Sequence, residues 1–139
     1  MKSLLGKLGV LSIGLLILGN AEVWGTDWKL YGSTENYLGY YDAQSITGPS
    51  KNIVRVWTRL VWTEKGVLGW VEDLGEKCEN LSHTIFLQEV NCAEKKLRLL
   101  SETHYDNKGS VIKSFSSPGE WRFIIPETVT ESLYKEVCK

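Results

Sequence analysis

Ten consecutive residues, Ile53 to Trp62, constrain this chain more than any other segment. Val54, Val56, Thr58, Leu60 and Trp62 fall on one parity, and Ile53, Arg55, Trp57, Arg59 and Val61 on the other. Side chains alternate across a strand, so this run predicts a β-strand with one face fit for a core and a second, mixed face suited to partial exposure. The abundance of Trp and Tyr, six of each, fits a pleated sheet, where aromatics bury large areas.

The rest of the chain predicts partners for that strand. Thr26 to Tyr31 and Tyr37 to Asp42 read as short strands, the second followed by a loop at Thr47-Gly48-Pro49-Ser50. Glu64-Lys65-Gly66 reads as a turn, with irregular chain through Asn80. Thr84 to Cys92 and Leu97 to Tyr105 read as strands joined tightly through Ala93 to Lys95. Asp106-Asn107-Lys108-Gly109 is a hairpin signal leading to a strand over Val111 to Phe115. Trp121 to Ile125 reads as a last strand stopped by Pro126. The period then changes. Thr128 and Glu131 form a capping box, and Val129, Leu133 and Val137 make an apolar stripe, with Tyr134 and Cys138 beside it. The expected fold is α+β: a single antiparallel sheet or partly closed barrel of about six or seven strands, with one C-terminal helix.

Lys2 and Lys7 precede the apolar run Leu8 to Leu18 and the small-residue step Gly19-Asn20-Ala21. This is the layout of a secretory leader over residues 1–21, with Gly25 a second candidate for the cut. The eleven-residue run is shorter than the roughly 20 needed to span a bilayer, so no stable membrane insertion is expected once it is removed. Residues 22–139 then form one exported domain, in the periplasm or on the outer surface. Loss of Lys2 and Lys7 moves the net charge from −1 to −3. Such a balance argues against nucleic acid as a partner, since that binding relies on excess Lys and Arg.

Little in the chain points to catalysis. His83 and His104 lack metal-ligand spacing and read as surface histidines, so no metal or cofactor is expected. No nucleophile elbow or phosphate-binding glycine loop is present; Gly66-x-x-Gly69 carries little signal. The carboxylates Glu72-Asp73 and Glu76 with Glu79 read as solvated loop residues, and the latter two disfavour a thiolate at Cys78. Asn80-Leu81-Ser82 matches a glycosylation acceptor that a bacterial-type leader makes irrelevant. Cys78, Cys92 and Cys138 allow three single disulfide pairings. Chain entropy favours a 92–138 bridge over a 78–92 bridge by only about 1 kcal/mol, too little to choose.

Trp57 and Trp62 lie on opposite parities of one strand. Either both sides of the sheet are covered, one by the helix and one by a loop such as 66–80 with Trp70, or Trp57 belongs to an aromatic surface patch with Arg55 and Arg59. Trp, Tyr and Arg are enriched at interface hot spots. The functional expectation is therefore a non-enzymatic binding module that recognises a protein or other ligand through Arg55, Trp57 and Arg59. The alternatives are a periplasmic structural or assembly protein, a small apolar-ligand carrier, and a hydrolase whose residues meet only in three dimensions.

Tyr40-Tyr41-Asp42, Val54-Arg55-Val56-Trp57, Asn91-Cys92, Lys96-Leu97-Arg98, Tyr105-Asp106-x-x-Gly109, Trp121, Ile125-Pro126 and Leu133-x-x-x-Val137-Cys138 together resemble the surface-adhesin protein E-like domain of Gram-negative bacteria, across residues 28–138. The resemblance implies a small exported protein with an antiparallel sheet and a C-terminal helix. It also implies a Cys92–Cys138 disulfide, with Cys78 as a departure, and a protein ligand in the host matrix or the envelope. The ligand-binding segment of the adhesins matches nothing in this chain, so no binding residue follows from it.

Overall fold

A computed structural model describes residues 26–139; the leader expected at 1–21 lies outside them. The described residues form one open antiparallel sheet carrying two helices on the same face. The strands are β1 (Trp28–Ser33), β2 (Tyr37–Asp42), β3 (Thr47–Ser50), β4 (Ile53–Trp62), β5 (Leu81–Asn91), β6 (Lys96–Asp106), β7 (Val111–Ser116) and β8 (Arg122–Phe123). The helices are α1 (Glu64–Leu74), followed by a 3-10 turn at Glu76–Cys78, and α2 (Val129–Val137). The sheet order is β1-β2-β4-β5-β6-β7. Two short strands complete the flanks: β3 continues the β2 side of β4, and β8 continues the β7 side of β6. The sheet does not close into a barrel.

The strand predicted over Ile53 to Trp62 has those bounds and lies inside the sheet. Val56 and Thr58, on its core parity, are fully buried. Gly109 takes the positive φ (86°) expected of the hairpin after β6. The segment read as a loop at Thr47 to Ser50 pairs with β4 through a turn in which Asn52 is left-handed (φ 65°). Pro49 is tolerated there because β3 is an edge strand. The last strand is shorter than expected: Arg122–Phe123 alone pair with Lys96 and Leu97.

The largest correction concerns Glu64 to Asn80, read as a turn and irregular chain. Its first part is the helix α1. The Thr63 hydroxyl caps it by accepting from Gly66 N–H at 3.2 Å, and Gly75 (φ 94°) closes it by donating to the Val71 carbonyl at 2.8 Å. Val67, Trp70, Val71 and Leu74 recur at helical spacing, but Gly66 and Gly69 inside the run mask the pattern. Gly66 is required for packing. A Cβ there would stand 2.2 Å from the Asn36 carbonyl oxygen.

At the C-terminus Thr128 caps α2, its hydroxyl accepting from Glu131 N–H at 3.2 Å. The Glu131 carboxylate accepts from Glu127 N–H at 3.0 Å, one residue before the cap. Leu133 and Val137 enter a core with Tyr41, Val56, Val90 and Ile124. Cys138 is disulfide-bonded to Cys92, with Cα atoms 5.6 Å apart, and Tyr134 donates to the Cys92 carbonyl at 3.0 Å. Cys78 is a free, buried thiol.

Candidate functional site

The parity of β4 separates two surfaces. Val54, Val56, Thr58, Leu60 and Trp62 lie beneath the helices. Leu133 and Val137 of α2 join the cluster of Val56, while Trp70 of α1 packs edge-on against Trp62 at 5.4 Å. Arg55, Trp57, Arg59 and Val61 therefore project from the opposite face, which neither helix covers. A two-sided core does not form around Trp57, whose residue exposure is 39%.

The three residues singled out from the sequence share this helix-free face but have different surroundings. Register places Arg55 opposite Glu89 of β5, and Glu89 opposite Arg98 of β6. The Arg55 Nε and Nη2 donate to one oxygen of Glu89 at 3.0 and 2.7 Å. Those of Arg98 donate to the other oxygen at 3.0 and 2.8 Å. Glu89 is only 3% exposed. Burial alone would push its carboxyl pKa up; the four hydrogen bonds and the two positive charges outweigh this and hold it below the ordinary carboxylate value. Trp121 covers Arg98, its ring centroid 4.7 Å from the guanidinium carbon.

Arg59 lies four residues along β4 from Arg55, with Trp57 between them. Its guanidinium carbon is 5.8 Å from the Trp28 ring centroid, and it lines a hollow of about 240 Å³ with Trp28, Tyr40 and Val61. Its Nε is buried without a hydrogen-bond partner. Beyond it His83 stacks on Tyr105 at 4.9 Å. Burial, then the Arg59 charge, lower the His83 pKa, so this ring is neutral at pH 7.

Glu89, Arg98, Trp121 and Trp28 were not anticipated from the sequence. One signal was available. The tight turn between Asn91 and Lys96 fixes the hairpin register, and two pairs further on it sets Glu89 against Arg98.

The helix-bearing face holds two further features. An open groove of about 450 Å³ lies beside α2, with Tyr31, Tyr37, Leu60, Phe86 and Leu99 among its lining. On its floor the Thr58 hydroxyl donates to Gln88 Oε1 at 3.1 Å. Nearer α1, Trp62 Nε1 donates to Thr84 Oγ1 at 2.8 Å, Thr84 Oγ1 lies 2.7 Å from His104 Nδ1, and His104 Nε2 lies 2.6 Å from Glu102. An indole N–H only donates, so the Thr84 hydroxyl accepts from Trp62, and its contact with Nδ1 completes a chain from Trp62 through Thr84 and His104 to Glu102. His104, expected at the surface, is buried by this chain and by Trp70, whose ring centroid is 5.0 Å away. The order hydroxyl, imidazole, carboxylate suggests a nucleophile. Thr84 is fully buried, however, and its oxygen is already engaged on both sides, so no substrate can reach it. Among the described residues no cluster of three or more His, Cys, Asp or Glu is arranged to hold a metal.

The family model described as Surface-adhesin protein E matches residues 28–139. Among solved structures the chain is similar to protein E of Haemophilus influenzae. The TM-score is 0.47 with 12% identity, over 78% of this chain and 87% of that one. No curated protein sequence matches significantly.

Proposed function

Because the chain belongs to the surface-adhesin protein E family, we propose that it is an exported, non-enzymatic binding module that recognises a protein ligand through its helix-free sheet face. Trp57 is the anchor and Arg55 and Arg59 flank it. The observation that carries this reading is the exposure of Trp57 at the middle of a face from which both helices are absent. A half-exposed Trp between two guanidiniums matches the composition of interface hot spots, whereas a merely structural Trp would be covered. The Glu89 bridge supports the role by fixing Arg55 and Arg98 before any partner arrives, which reduces the ordering cost of binding. Family membership is the basis for an exported or surface-exposed location and for a host molecule as ligand. No helix among the described residues is long and apolar enough to cross a membrane.

The test is adhesion to an immobilised basement-membrane matrix and to an envelope extract from the same bacterium. Trp57→Ala should abolish capture while leaving the far-UV circular dichroism spectrum intact. Leu68→Ala, an exposed position on α1, should bind as the parent does. Equal capture by the parent and Trp57→Ala would remove this face from consideration.

The groove beside α2 favours a second reading, a carrier of a small apolar ligand. Its volume of about 450 Å³ suits a compact molecule, and its lining mixes aromatic and aliphatic side chains with the polar Gln88, Glu120 and Arg122. Extraction of the protein with organic solvent, followed by mass spectrometry, should return a stoichiometric small molecule if this reading is correct, and none if it is not.

A further inference from the structure

Arg55, Arg59 and Arg98 are the three arginines of the helix-free face, and their charges are not equally satisfied. Arg55 and Arg98 share the buried carboxylate of Glu89, each through two hydrogen bonds. Arg59 takes part in none of the ion pairs among the described residues. Its Nε is also the one buried side-chain nitrogen or oxygen among them that lacks a hydrogen-bond partner. A buried N–H without an acceptor is costly, so an orphan of this kind needs an explanation. Its location supplies one. The guanidinium is laid against Trp28 and borders the hollow formed with Tyr40 and Val61. The contact with the indole is at cation–π range, and no ion pair among the described residues engages the guanidinium.

We infer that Arg59, with Trp28, Tyr40 and Val61, is a socket for a carboxylate side chain, an Asp or Glu of the protein partner. The assignment rests on the reading of this face as the recognition surface and adds the chemistry of its ligand. A carboxylate in the hollow would accept first from the Arg59 Nη groups, and a shift of the side chain toward it would bring Nε, buried here, into the side-on arrangement that Glu89 makes with Arg55 and Arg98. It would supply both the missing acceptor and the missing countercharge. Trp28 and Tyr40 would exclude water around the pair, the condition under which such contacts dominate an interface. Arg55 and Arg98 have no such need, because their countercharge is built in.

The assignment can be tested before any partner is known. Side-chain Nε–Hε signals of the 15N-labelled protein are followed while N-acetyl-aspartate amide is added. N-acetyl-asparagine amide serves as the neutral isostere and inorganic sulfate as the competing anion. The Arg59 Nε–Hε and Trp28 indole signals should move saturably with the acid, and the Arg55 and Arg98 signals should move less. No response, or an equal response to the amide, overturns the assignment. A stronger response to sulfate replaces it with a sulfated polysaccharide. A second arm uses matrix adhesion, in which Arg59→Gln should weaken binding roughly tenfold. Arg59→Lys, which keeps the charge but not the fork, should recover only part of it. If Trp57→Ala loses adhesion while Arg59→Gln keeps it, the face is the recognition surface and the socket is wrong. If neither variant loses adhesion, the face itself is wrong.

Discussion

Arg55 reaches across one strand to Glu89 and holds it edge-on, Nε and Nη2 both on the same carboxylate oxygen at 3.0 and 2.7 Å. The arrangement depends on registry and not on sequence proximity, since 34 residues separate the pair. It places a buried negative charge directly beneath an arginine of the proposed recognition face. Removing that charge should cost the fold and not only the site. Glu89→Ala leaves two guanidiniums without a partner, and the expected loss is about 3 kcal/mol. That is the lower end of the range for a broken buried pair, because both arginines keep a side toward solvent. Urea unfolding at pH 7 measures it. A loss below 1 kcal/mol would show that the triad contributes no net stability.

The same carboxylate predicts acid sensitivity. Its folded pKa lies below the ordinary carboxylate value. The stability it contributes is therefore complete above its unfolded pKa, about 4.3, and is lost as pH falls through the folded pKa. In Glu89→Gln this component should be absent, so the melting midpoint of the variant should fall less between pH 5 and pH 3 than that of the parent. Parallel curves would contradict the assignment.

How much of this was legible from the chain depends on the range over which each feature is encoded. β4 was readable because alternation is local: ten residues carry both of its faces. α2 was readable because Thr128, Leu133 and Val137 mark its start and its buried side within ten residues. α1 was obscured by its own packing. Gly66 lowers helix propensity, yet it is needed because the Asn36 carbonyl leaves no room for a Cβ. His104 looked like a surface residue because its burial comes from Thr84, twenty residues away, and from Trp70 on the helix that local patterning missed. Of the proposed site, Arg55, Trp57 and Arg59 were readable as one parity. What distinguishes the two arginines, a cross-strand carboxylate for one and none for the other, comes from pairing between strands.

The C-terminal helix is held by a cap, a core contact and a disulfide. Thr128→Ala removes the hydroxyl that accepts from Glu131 N–H and should cost about 1 kcal/mol. Leu133→Ala, at a fully buried position, should cost about 3 kcal/mol. Reducing Cys92–Cys138, which closes a separation of 46 residues, should cost about 4 kcal/mol in the chain-entropy picture. Thermal melts with and without reductant rank the three. A Thr128→Ala midpoint equal to that of the parent would place the helix start elsewhere, and a non-reducing peptide map lacking the 92–138 link would remove the staple.

Gly66 and Gly69 offer a matched pair on α1, three residues apart in one helix but with opposite expectations. At Gly69 a Cβ meets nothing within 4 Å. Gly69→Ala should therefore gain up to about 1 kcal/mol from helix propensity alone. At Gly66 the same Cβ would lie 2.2 Å from the Asn36 carbonyl oxygen and 3.0 Å from the Trp62 ring. Neither the backbone nor the packed indole can yield without moving α1 off the sheet. Gly66→Ala should destabilise despite its better propensity, and it should raise the solvent exposure of Trp62 and Trp70, whose rings pack edge to face. Urea titration gives the sign of each change, and tryptophan fluorescence reports the displacement. A red-shifted emission in Gly66→Ala together with an unshifted one in Gly69→Ala is the expected pattern. If Gly66→Ala were as stable as the parent, α1 would not dock against the 36–37 turn, and the burial of His104 beneath Trp70 would lose its support.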